Sequence, residues 1–253
     1  MNNVHNVVVA KVARRGESVK RVLVTVLTVL VGVGIVVGVG LFSWWNEREP
    51  ATLTAEVSGT MQTPQGELPH AQLELAIYPS TSEKVPGPRT TSAMQSDLLS
   101  EQPFFWPSSS IEVPANSAVT ITFLQYGGPM GQIYNDFFAE VHGTMDGTMN
   151  WNGKSVDKIK ATEATHTFTV HQYPEANESE FFLNVPLPIN DSKAKMDKYG
   201  YAEKPQRVEV TFITGDPGKY VWNCQFPCGD MYQEFGGAMQ TRGWMGGTFE
   251  VVA

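Results

Sequence analysis

Between Val22 and Trp44 the chain reads VLVTVLTVLVGVGIVVGVGLFSW, 23 residues without a charge. At ~1.5 Å rise per residue, a helix of that length covers a bilayer core of about 30 Å with a little tilt. A helix at the surface of a soluble protein would show a polar face, and this stretch has none. Its glycines (Gly32, Gly34, Gly38 and Gly40) suit a membrane helix, and Gly34 and Gly38 stand at the small-xxx-small spacing that favours helix partners. A cleaved signal peptide fits less well. The stretch is longer than an ordinary signal-peptide core, and Phe42-Ser43-Trp44-Trp45 is a poor small-residue cleavage site. The segment therefore predicts an uncleaved single-pass anchor over residues 22–45.

The flanks predict its orientation. Lys11, Arg14, Arg15, Lys20 and Arg21 precede the span, and Trp44, Trp45, Asn46 and Glu47 follow it. Basic residues stay on the cytoplasmic side and indoles settle at the interface, so residues 1–21 read as a basic cytoplasmic tail. Everything beyond Trp45 is then expected outside an inner or plasma membrane, in the periplasm or the extracellular space. Charge divides the same way, with +4 on residues 1–21 and −12 on the remainder. An acidic exterior argues against nucleic acid as a partner and suits a basic soluble one, although such surfaces also serve only solubility.

The outer part is strand-like. Residues 46–110 read as a stalk with an irregular β region, in which Leu53–Val57 and the alternating Ala71–Ile77 are candidate strands. The Pro-, Ser- and Thr-rich run from Pro79 to Pro107 reads as loop, with Phe104, Phe105 and Trp106 as an aromatic anchor. From Ile111 short strands recur: 111–123, 165–170, 181–185, 207–212, 219–224 and 246–252, with Gly215-Asp-Pro-Gly218 as turn chemistry. That spacing predicts a β-sandwich over 111–253. It is interrupted by an insertion at about 127–163, expected to be part helical near Tyr134–Val141. No Ser-His-Asp pattern, phosphate loop or His-Glu-x-x-His motif occurs, and the acidic pairs give no basis for a glycosidase. Asn177-Glu178-Ser179 fits a glycosylation sequon, a triplet frequent by chance.

The chemistry-bearing residues are few. Cys224 and Cys228 are the two cysteines, spaced C-x-x-x-C directly after a strand. Two such thiols either bridge a soft metal such as copper or close a small-ring disulfide.

The runs IEVPANSAVTITF, THTFTV, FFLNVPLPI, VEVTF and DPGKYVWNCQFPCG together resemble the cupredoxins, and with the anchor they resemble subunit II of haem-copper oxidases. The resemblance spans about residues 111–252 and implies an all-β cupredoxin-like Greek-key sandwich behind one transmembrane helix. It places His166 at the early-strand ligand position and Cys224 at the head of the ligand loop. The oxidase loop C-x-E-x-C-x-x-x-H-x-x-M holds a binuclear copper centre. Both thiols match here, and Phe226 takes the position whose carbonyl ligates. Tyr232 and Phe235 stand where His and Met belong, and no histidine follows His171. The implied ligand set is His166, Cys224 and Cys228, completed by Met239 in a rebuilt loop; Met231 and Met245 are further thioethers, and His142 approaches from the insertion.

The resemblance implies a non-catalytic subunit of a respiratory complex, passing single electrons through copper to a multi-span haem-bearing subunit. A basic soluble carrier or quinol would be the donor. Two alternatives stand beside it: a copper-free structural subunit II of a quinol-dependent oxidase or nitric oxide reductase, and a stand-alone anchored copper-binding protein.

Overall fold

In the computed structural model the chain divides into two compact units, residues 1–48 and 49–253, each described here by itself. The structure describes residues 2–46, 51–88, 100–128, 135–173, 180–190, 193–226, 228, 237–238, 241 and 243–253. The first unit is one helix, α1 (Asn2–Asn46), so the basic tail continues the helix of the span. Lys20–Trp44 is long and apolar enough to cross a membrane, and none of its apolar side chains is buried within the chain.

The second unit is a two-sheet sandwich, as the strand spacing and the family resemblance lead one to expect. Its strands are β1 (Leu53–Thr54), β2 (Glu56–Thr63), β3 (Gly66–Tyr78), β4 (Phe104–Trp106), β5 (Ile111–Pro114), β6 (Ala118–Gln125) and β7 (Met149–Trp151). There follow β8 (Lys154–Val156), β9 (Ala164–Gln172), β10 (Leu183–Pro188), β11 (Gln206–Ile213), β12 (Gly218–Asn223) and β13 (Gly246–Val252). One sheet runs β1-β5-β13-β12-β9-β10, and the other β2-β3-β6-β11-β7-β8 with β4 added on β3. Alternation in each strand sends one face inward. Phe105, Phe123, Phe168, Trp222 and Phe249 meet between the sheets, with Phe105 and Phe168 each within 5–6 Å or less of a neighbouring ring. Burying each such ring contributes roughly 1.5–3 kcal/mol.

Within the region 46–110, Leu53–Thr54, Glu56–Thr63, Gly66–Tyr78 and Phe104–Trp106 are strands of the sandwich. β3 lies inside the second sheet, antiparallel to β2 on one side and parallel to β6 on the other, in register from His70↔Ala118 to Ile77↔Gln125. Its alternating Ala71, Leu73, Leu75 and Ile77 are buried, and β4 buries Phe104 and Phe105 beside them. The physical reason is that the apolar face of AQLELAI needs a sheet to cover it, and β6, 48 places on, supplies the pairing.

The region 127–163 is likewise only partly an insertion. Where a helix was expected, one 3-10 turn forms at Asp136–Ala139, its N-terminus closed by the Asn135 side chain accepting the Phe137 N–H. Beyond it β7 and β8 form a hairpin that extends the sheet from β11. Asn152 and Gly153 at its tip have φ of +49° and +88°, the two left-handed positions of a tight hairpin turn, which Asn-Gly adopts at low cost.

The site end of the sandwich is set by register. β9 pairs with β12 from Gln172↔Tyr220 only as far as Thr169↔Asn223, so residues 164–168 extend past the end of β12. The chain leaves β12 at Cys224 and Gln225 against Thr167 of that extension, and β13 begins with Gly246 paired to Asn223.

Candidate metal centre

Inward-facing positions on β9 alternate through His166, Phe168 and Val170, and on β12 through Tyr220 and Trp222 to Cys224. Both series point into the same interior, so the imidazole and the first thiol meet where the two strands part. His166 Nδ1 lies 2.9 Å from Cys228 Sγ and 4.0 Å from Cys224 Sγ, and the two sulfurs are 3.4 Å apart. All three residues are buried, and their ligand atoms lie within 4.8 Å of one another. The cysteines are free thiols, well beyond the ~2.0 Å of a disulfide.

These atoms fit a metal ion. A triangle with sides of 2.9, 3.4 and 4.0 Å is acute, and its circumcentre lies about 2 Å from each corner. Imidazole nitrogen and thiolate bind a d10 ion such as zinc at ~2.0–2.3 Å. Two thiolates and an imidazole are soft donors, suited to copper or zinc over calcium or magnesium.

The thiols differ in protonation. Burial pushes Cys224 up, but hydrogen bonds from Cys228, from His166 and from the Thr167 N–H outweigh it and hold the thiol well below its ordinary range. Burial pushes Cys228 well up, and the anionic neighbour Cys224 adds to the effect. Cys224 is thus the more acidic thiol of a proton-sharing pair. The Cys224 sulfur accepts backbone N–H bonds from Thr167 at 3.3 Å and Phe226 at 3.4 Å. His166 Nε2 is buried and finds no hydrogen-bond partner among the described residues.

Among solved structures, the similar ones include copper proteins. Auracyanin B matches with 13% identity over 79% of this chain and 98% of its own, at a TM-score of 0.31. The copper protein rusticyanin matches with 15% identity over 84% and 93%, at 0.29. A multicopper oxidase matches with 11% identity over 72% and 44%, at 0.23. Superposition is partial at these scores, and the reading of the site rests on its own donors. No protein-family model matches the sequence, and no curated protein matches it.

The other expected ligands are placed differently. Met239, with Met231, Tyr232 and Phe235, lies outside the described residues. Met245 is fully buried beside the centre, and its carbonyl accepts the Cys224 N–H at 2.9 Å. The carbonyl of Phe226 accepts the Cys228 N–H at 2.6 Å. His142 is kept elsewhere, stacked on Phe137 with ring centroids 4.3 Å apart and Nε2 at 3.2 Å from the Phe137 carbonyl.

A buried ladder supporting the loop was missed by sequence reasoning. Gln225 N–H donates to Thr167 Oγ1 at 2.8 Å, Thr167 and Thr169 hydroxyls meet at 2.9 Å, and Thr169 donates to Asn184 Oδ1 at 2.7 Å. The Asn184 amide donates in turn to the carbonyls of Phe138 and Glu140, which fixes its flip and the direction of every bond in the chain. The signal was available in the alternation of THTFT, whose threonines share the face opposite His166 and Phe168.

Proposed function

We propose that this chain is a membrane-anchored electron-transfer subunit of a respiratory haem-copper-type oxidoreductase, holding copper at His166, Cys224 and Cys228. The observation that carries the reading is the buried triangle of one imidazole and two thiols at the end of a two-sheet sandwich. A copper ion held there supplies a one-electron couple. The chain's residues contribute the rest. Two backbone amides stabilise negative charge on Cys224, full burial keeps water from the sulfurs, and the tie between Gln225 and β9 restrains the loop. A donor set held this way has little to rearrange when its charge changes.

In this reading α1 spans an inner or plasma membrane with the basic N-terminus in the cytoplasm and the sandwich outside. The donor is a basic soluble carrier drawn by the acidic exterior, or a quinol, and the acceptor is a multi-span haem-bearing subunit. The replacement of a His and a Met by Tyr232 and Phe235 favours a second reading, a copper-free subunit that only shapes the complex.

Purification of the full chain from native membranes in mild detergent separates the two. Copper in proportion to the chain, with a haem protein in the same particle, supports electron transfer. Copper-free chain in the same particle supports the structural subunit, and a solitary copper-free chain overturns both.

A further inference from the structure

Resting on the copper reading, the geometry points to a centre that takes one copper ion instead of the two of an oxidase-type binuclear centre. The argument begins with the imidazoles. The sequence contains five histidines. His166 faces the thiols, and the other three of the sandwich are committed away from them. His70 is on the second sheet, with Nε2 at 2.8 Å from Thr120 Oγ1. His142 lies against Phe137. His171 stands on the face of β9 opposite His166, its ring nitrogens 2.9 Å from the Gln172 carbonyl and 3.0 Å from Asn223 Oδ1. His5 belongs to the separate N-terminal unit, ahead of the apolar span.

Two ions bridged by the two thiolates would leave one of them without an imidazole. A single ion is served well, because the three donor atoms surround one point about 2 Å from each.

The test is an anaerobic titration of the detergent-solubilised full chain with Cu(I), followed by metal analysis and copper K-edge absorption. Saturation at one copper per chain, with sulfur-rich scattering, is expected. His142→Ala and His171→Ala keep that stoichiometry, while His166→Ala weakens binding more than roughly tenfold. Two coppers per chain, or a seven-line spectrum after partial oxidation, would overturn the one-ion centre and leave the copper reading standing. Failure to bind copper at all overturns both.

Discussion

Thr167 holds the head of the cysteine loop twice: its N–H donates to Cys224 Sγ at 3.3 Å, and its hydroxyl accepts the next residue's N–H, that of Gln225, at 2.8 Å. The first uses the Thr167 backbone N–H and survives substitution of Thr167 by any residue but proline. The second depends on the side chain and is the end of the ladder through Thr169 and Asn184.

Thr167→Val keeps the shape of the side chain and removes the hydroxyl, leaving the half-buried Gln225 amide and the buried Thr169 hydroxyl each short of a partner. The sandwich should lose about 1–3 kcal/mol, read from urea unfolding of residues 49–253. Thr167→Ser restores most of the loss. Equal stability of the Val and Ser variants would show that the ladder contributes nothing.

Copper loading should release a proton from Cys228. Cys228 is held as a thiol above its ordinary range, while Cys224 is held well below its own. A metal that needs both thiolates therefore competes with the Cys228 proton, and its affinity rises with pH. A competition titration against a chelator at several pH values measures the slope. An affinity independent of pH would show that Cys228 carries no proton in the metal-free protein.

Cysteine labelling checks the thiols directly. Metal-free chain, unfolded without reductant, should modify at both Cys224 and Cys228, and copper-loaded folded chain at neither. Cys224→Ser and Cys228→Ser should each abolish tight copper binding, because the triangle then keeps a single thiolate. Retention of wild-type affinity in either variant would remove that thiol from the ligand set.

Removal of residues 51–78 should unfold the sandwich, where removal of a true stalk would leave it intact. β3 pairs with β2, β6 and β4, and its buried Ala71, Leu75 and Ile77 form part of the core. A form starting near residue 49 is expected to give a cooperative unfolding transition, and one starting at 111 to give none. A cooperative transition from the shorter form would return residues 51–78 to the status of a stalk.

Much of this architecture was legible. The charge-free run from Val22 and the alternation of AVTITFLQ and RVEVTF are local patterns, so the helix and most strands follow from short windows. The region from Leu53 to Tyr78 was harder, because its strands look isolated until β6 is beside them. The hairpin at Asn152-Gly153 carried a clear turn signal, but the glycines and methionines around it read as insertion. For the site, the pair Cys224 and Cys228 stood out as the two cysteines of the chain, and His166 followed from the family pattern. The commitment of His171 to Asn223 and Gln172, and of His142 to Phe137, could not be read from spacing.

The sequence by itself determined a long apolar helix followed by an acidic, strand-rich region, and one pair of thiols that a histidine could join. Those properties reside in composition and in periods of two to four residues. Only the tertiary structure decided which imidazole faces the sulfurs and how closely. His166 and Cys224 are 58 positions apart. They meet because β9 runs past the end of β12 after Thr169↔Asn223, and a shift of one residue in that pairing would turn the imidazole to the opposite face.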